Sequence, residues 1–492
     1  MNVETKVDPT NALVEEAKRV LPGGSFGNMP AEVILREGKG GRVWDEAGKE
    51  YVDFLLGSGP MFIGHAHPDV TAAVQTQVPL GTTLFGNNRH GIALATAVVD
   101  AIPCADQVRF VCTGTEADLY AMRAARAFRK RDKILKFEGG YHGMSDYALM
   151  SLAPKKPGNF PRPSPDSAGI PKSVQDEMLV AAFNDAEMAE SLIKEHKNEL
   201  AGVIVEPFQR LIPPKPGFLQ ALRRVTSEND IPLIFDEVVT GFRFAYGGAQ
   251  EYYGVTPDLC TLGKIVGGGF ALAAIAGRAH IMAHFDKLAM PEEDFLFQVG
   301  TLSGNPVAAV AGLATLEVLR RPGAYEQVFA TGRELMGTLS DLLKSAGIKA
   351  QVVGEPPLFD IVFTDRPVND YRDTLHGDAA MQRKFNQLLR AKGIMKGESK
   401  YYVSLAHTRA DIDHTVGAWK EALAELTCSD LRPVTLTGRS RIWTGSGPLE
   451  PFEFLCSPIE HLVHRLALVV PDDHLGLNRL GPDLGGDERR GR

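Results

Sequence analysis

Three short stretches carry residue types that together can do chemistry. Thr113-Gly114-Thr115-Glu116 stands between strand-like QVRFVC (107–112) and a helical run at 116–130. The first N–H groups of a helix lack partners and the macrodipole is positive there, so Gly114 and Thr115 suit a phosphate. Thr followed three residues on by Glu is equally an ordinary capping box. Asp236 lies near the end of PLIFDEV (232–238), where a carboxylate can ligate a metal, act as a base or pair with a protonated ring nitrogen. It can also simply cap the segment that follows. Lys264, in TLGKIVGGGF, is the one charge between 259 and 277. A lone lysine is ordinarily solvated surface, but apolar surroundings lower its pKa and leave a nucleophilic amine. A phosphate seat, an acid for a ring nitrogen and an amine for a Schiff base are together what pyridoxal phosphate requires. Tyr141, beside His142 and Gly143, offers a ring to stack on the pyridine, or else a core aromatic.

The elements around these residues alternate. Apolar runs of strand length fall at 107–112, 133–139, 178–183, 201–205, 232–238, 258–262 and 271–277, with helical patterns at 185–197 and 217–229. Strands alternating with helices predict an α/β fold, a mostly parallel central sheet covered on both faces. Ligands of such sheets bind beyond the carboxyl ends of the strands. An amphipathic helix is predicted over 9–21, strands over 32–36 and 50–55, and helices again over 306–320 and 323–345. Residues 143–175 break the rhythm, with six prolines between 154 and 171, and are predicted to hold no regular element and to act as a lid. After Lys420 the remaining 72 residues contain no Lys. That break marks 428–492 as an atypical, poorly ordered tail.

Composition narrows the class. Apolar residues make up 44% and charged residues 23%, as in a soluble globular chain. A net charge of −8 disfavours nucleic acid, and no apolar run reaches a membrane span. The five Cys form no CxxC, so neither a disulfide framework nor a zinc knuckle is expected. Without a signal-peptide pattern at the amino terminus, the expected location is cytoplasmic.

The chain resembles the class III aminotransferases of the fold type I pyridoxal-phosphate enzymes, most closely the glutamate-1-semialdehyde aminomutase branch. The resemblance rests on GPMFIGHAHPDV (59–70), TGTEADLYAMRAAR (113–126), KILKFEGGYHG (133–143), VIVEPF (203–208), LIFDEVVTGFR (233–243), GAQEYYGVTPDLCTLGKIVGGG (248–269), GTLSGNP (300–306) and SLAHTRADID (404–413). DEVxTGFR with a GK lysine 28 residues beyond its Asp is the most specific of these. It implies Lys264 as the Schiff-base lysine and Asp236 as partner of the ring nitrogen. Gly114 and Thr115 become the phosphate cradle, and Thr301 reaches the phosphate of a neighbouring subunit. Tyr141 and Val238 flank the ring, and Glu206 lies close by. A homodimer sharing its cofactor sites follows. So does a division into an N-terminal segment (1–70), a large cofactor-binding domain (71–310) and a C-terminal small domain (311–427), the smaller α/β domain being built from both chain ends.

Within that resemblance the expected activity is amino transfer between an amino acid or amine and a 2-oxo acid, by a ping-pong mechanism. Alternatives are an aminomutase or racemase on the same scaffold, or an inactive homologue serving as a binding subunit. The aminomutase branch carries a carboxylate-binding arginine in a VRxF segment after PGG, whereas SFGNMPAEV (25–33) has none. Phe270-Ala271-Leu272 replaces a Pro-containing segment, an apolar lining that suits an aromatic amine or β-amino acid, or is plain packing. Arg36, Arg89 and Arg243 are the candidates for holding a substrate carboxylate. The histidines of GHAHP (64–68) read as a structural turn rather than a metal site.

Overall fold

A computed structural model describes residues 9–429 of the chain. The first three strands, β1 (Leu35–Lys39), β2 (Arg42–Asp45) and β3 (Glu50–Asp53), form an antiparallel meander. The central sheet takes the next seven: β4 (Gln107–Val111), β5 (Lys133–Phe137), β6 (Met178–Ala181), β7 (Leu200–Val205), β8 (Leu233–Glu237), β9 (Leu259–Leu262) and β10 (Ala273–Gly277). Their order is β4-β10-β9-β8-β7-β5-β6, parallel from β9 to β6, with β10 antiparallel to both neighbours. Every residue of β7 and β8 is buried, which is why these strands read as continuous apolar runs rather than alternating ones.

The direction of β10 positions the site. The connection from β9 spans only residues 263–272, too short for the crossover that a parallel neighbour demands. The chain therefore turns sharply at the carboxyl end of β9 and drops Lys264 there. In β8, Asp236 pairs in register with Thr261 of β9, so Asp236 emerges beside the same turn. The helix Pro306–Leu319 backs the turn through small residues. A Cβ on Gly312 would come within 2.2 Å of the Val266 carbonyl oxygen, and one on Gly268 within 2.4 Å of that of Ala311.

Segments from both ends of the described residues contribute to the smaller α/β part. Strand β13 (Ile394–Met395) adds in parallel to β3, while β11 (Gln351–Glu355), β12 (Leu358–Val362) and β14 (Tyr401–Tyr402) make an antiparallel sheet. Trp419 of the helix Arg409–Ser429 donates to the Tyr401 hydroxyl at 2.9 Å, locking that helix on the sheet. This helix runs two residues past the expected boundary at 427, and the rest of the expected tail, from 430 on, lies outside the described residues.

Two local expectations need correction. Strand β1 begins at Leu35 rather than 32, because Pro30 and the turn after it precede the first ladder pair, Leu35 with Asp45. The stretch 143–175 is irregular through Pro171, but a short helix, Lys172–Asp176, begins inside it with Pro171 at its N-cap. The irregular part is pinned: Asp166 Oδ2 accepts from the N–H of Leu152 (2.5 Å) and Ala153 (3.2 Å), and the Tyr371 hydroxyl donates to the Pro154 carbonyl at 3.1 Å.

Candidate active site

The carboxyl ends of β4, β5, β8 and β9 converge on a cavity of about 340 Å³ whose lining includes Gly114, Thr115, Tyr141, Asp236, Val238 and Lys264. Six of the eight residues singled out from sequence therefore meet at one place. Lys264 holds a left-handed φ of 51°, costly for a residue with a Cβ. The packed turn on the helix Pro306–Leu319 keeps it there. Burial lowers the pKa of its amine, partly opposed by Tyr402.

Asp236 is 4% exposed and fully engaged. Its Oδ2 lies 2.8 Å from His142 Nδ1, and its Oδ1 accepts from the Val238 N–H (3.1 Å) and the Thr261 hydroxyl (3.3 Å). His142 is the direct partner of this carboxylate. Nothing in the spacing of 142 and 236 along the chain shows that these two segments meet.

The Thr113–Glu116 turn carries out its bland role and leaves its other role open. Thr113 Oγ1 accepts from the Glu116 N–H at 3.2 Å, and Glu116 returns to the N–H of Cys112 (2.8 Å) and Thr113 (3.0 Å). That box leaves the N–H groups of Gly114 and Thr115, at the start of the helix Gly114–Arg129, to an anion. The floor is built without side chains: a Cβ on Gly114 would come 3.0 Å from Val238 Cγ1. Gly143, at φ 84°, lies so close to Thr115 that a Cβ would meet its Cα at 2.6 Å. A phosphate seat, a carboxylate and a half-buried amine lining one cavity fit pyridoxal phosphate.

Glu206 is buried outside the cavity lining, and its Oε2 accepts the Tyr141 N–H at 2.9 Å, so it sets the backbone that carries the ring. Burial, then the charge of Asp236, raises its pKa. Thr301 does not line this cavity in its own chain. It is exposed between Gly300 and Ser303, on the rim of a second groove that includes Phe85, Ile92 and Val299.

The three arginines offered for a substrate carboxylate are placed differently. Arg36 is exposed and paired with Glu37 at 2.6 Å, and Arg89 is exposed at the start of a helix. Arg243 is fully buried, donating to the carbonyls of Val239 (2.8 Å) and Gly59 (2.6 Å) while its Nη1 has no partner among the described residues; burial lowers its pKa to about 10, and its charge is felt at Lys264. Sequence reasoning missed two other cations. Lys400 Nζ lies 5.9 Å from the Tyr402 ring, and the Arg210 guanidinium 5.5 Å from the Tyr141 ring. Burial, then Arg210, lowers Lys400 to about 8. His65 and His67 turn to separate tasks, one bonding Asp53 at 2.7 Å and the other capping a helix at Asp69, as the turn reading expects.

Comparison with known proteins agrees with the fold. Residues 25–423 match the family described as Aminotransferase class-III. A glutamate-1-semialdehyde 2,1-aminomutase of Methanosphaera stadtmanae is 40% identical over 431 residues, 86% of this chain and 99% of that one. The crystal structure of an omega-transaminase from Sphaerobacter thermophilus superposes with a TM-score of 0.81 at 36% identity, covering 85% of this chain and 98% of that one. A beta-phenylalanine aminotransferase from Variovorax paradoxus gives 0.76 at 32%, covering 85% and 94%.

Proposed function

The chain belongs to the class III aminotransferases, pyridoxal-phosphate enzymes, and from that premise we propose that it moves an amino group between an amino acid or amine and a 2-oxo acid in two half-reactions. The observation that carries this reading is the half-buried Lys264 amine sharing one cavity with Asp236 and the Gly114–Thr115 seat. When bound, pyridoxal phosphate supplies an aldehyde to take up the amine and a protonated ring to accept electrons.

The protein's own residues then divide the work. Gly114 and Thr115 bind the phosphate through their N–H groups. Asp236, fixed by His142 and the Val238 N–H, would accept a hydrogen bond from the protonated ring nitrogen and so keep the proton there. Tyr141 and Val238 confine the ring, and Glu206 holds Tyr141 in place. Lys264 Nζ, its pKa lowered by burial, is a base that takes the proton from the substrate carbon bearing the amino group and gives it up again. Lys400 and Arg210, neither in a salt bridge among the described residues, offer charge to a substrate carboxylate. Phe270, Ala271 and Leu272 line the same cavity and favour an apolar or aromatic substituent, as in an aromatic β-amino acid.

The 40% identity to an aminomutase supports a second reading, isomerisation without an external acceptor. The missing arginine in 25–33 counts against it. A panel of aromatic and aliphatic α- and β-amino donors with pyruvate or 2-oxoglutarate separates the two. Transfer predicts that alanine or glutamate appears only when the acceptor is present. Conversion of glutamate 1-semialdehyde with no added acceptor, and no transfer from any donor, would overturn it.

A further inference from the structure

Asp118 has no part in the reading above, yet it shares the cavity with Asp236. It lies in the first turns of the helix Gly114–Arg129, its side chain turned inward, and is 2% exposed. Its Oδ1 is 2.6 Å from Thr261 Oγ1, and the same hydroxyl is 3.3 Å from Asp236 Oδ1. One ligand atom from each of Asp118, His142 and Asp236 falls within 4.8 Å of the others.

Proton counting makes this arrangement informative. A threonine hydroxyl carries one hydrogen, so it donates to one carboxylate and can only accept from the other. Two ionised carboxylates on one buried hydroxyl would leave an oxygen against an oxygen, and like charges this close do not both persist. The donors are unequally shared. Asp236 receives the Val238 N–H and faces His142 Nδ1, whereas Asp118 has only the Thr261 hydroxyl and the facing Asp236 carboxyl itself as hydrogen-bond partners.

We propose that Asp118 is the protonated partner of Asp236: its carboxyl O–H donates to Thr261 Oγ1, Thr261 donates to Asp236 Oδ1, and the dyad carries one negative charge. It acts as a positioning residue. It supplies Asp236 with a further donor and fixes which carboxylate bears the charge, so that one charge meets one ring-nitrogen proton.

Burial and the charge of Asp236 agree in pushing the Asp118 carboxyl well above the usual carboxylate range. The other groups that face it are Glu206 beyond β7, Tyr141 and His142 beyond β5, Cys112 beyond β4 and Lys264 beyond β9. The proposal rests on the cofactor reading only for what the dyad faces.

Infrared spectra of the purified full-length holoenzyme near neutral pH test it without turnover. Asp118→Asn must remove a protonated-carboxyl C=O band. The subtraction cancels other buried acids such as Glu237, itself pushed up to about 7. Thr261→Val, which keeps both carboxyls, must shift that band, because the carboxyl loses its acceptor. Asp118→Ala should bind the cofactor roughly tenfold more weakly, and Asp118→Asn should recover part of that loss, since an amide N–H can replace the O–H. A difference spectrum showing loss of an ionised carboxylate, or a band unmoved by Thr261→Val, overturns the proposal. Absence of transamination would leave these bands as predicted and would instead count against the proposed function.

Discussion

At the scale of single residues, the site works by contrast of environment. Lys264 is desolvated, which lowers its pKa and favours a free amine, while Asp236 accepts from the Val238 N–H and the Thr261 hydroxyl and faces His142. Asp236→Asn should therefore lose roughly 100-fold or more in transamination with little loss of bound cofactor, because an amide cannot hold the ring proton. Steady-state rates beside the absorbance of the bound cofactor check this, and near-normal turnover would remove Asp236 from the chemistry. Lys400→Met should raise KM for a carboxylate substrate about tenfold while leaving turnover of a carboxyl-free amine unchanged, a charge-assisted contact being worth that much. An equal effect on both substrates would show that Lys400 serves packing alone. These cations also mark where sequence reasoning stops. Arg243 sits in the most specific motif and was visible there, whereas Lys400 and Arg210 stand in ordinary surroundings, their relation to Tyr402 and Tyr141 set by distant segments.

At the scale of elements, short connections fix the chemistry. The β8, β9 and β10 runs were legible because strands buried on both faces must be continuously apolar. The reversal at β10 lies not in the apolar run itself, which carries no direction, but in the short connection 263–272 before it. It is this reversal that sets Lys264 beside Asp236. Glu237, the next residue, ties the end of β8 to the short helix Gly248–Tyr253 by accepting from the Ala249 N–H at 2.5 Å and the Thr240 hydroxyl at 3.0 Å. Burial pushes its carboxyl up to about 7. Between the unfolded value of about 4.3 and that point, the folded chain holds a proton that the unfolded chain has lost. Its contribution is complete below about 4.3 and gone above about 7, so stability falls as pH rises across this window. Glu237→Gln should flatten the pH dependence of the thermal midpoint between about 5 and 7. A midpoint curve parallel to that of the wild type would contradict this.

At the scale of the whole molecule, the surface next to Thr301 asks for a partner. Leu80, Leu84, Phe85, Phe297 and Val299 are all more than half exposed, and Phe85 and Val299 line one groove of about 370 Å³. An apolar surface of this kind fits a second copy of the chain, which would carry Thr301 towards the phosphate of its neighbour. Light scattering should find a dimer, and Phe85→Asp with Val299→Asp should yield monomers that hold cofactor more weakly. A monomeric wild type with full activity would contradict that assembly. The central claim, that one lysine of the entire chain carries the cofactor, has a more direct test. The full-length protein, loaded with pyridoxal phosphate, is reduced with borohydride and digested, and every lysine-containing peptide is weighed. The account predicts a single cofactor adduct, on Lys264. An adduct on another lysine, or none after loading, would contradict it.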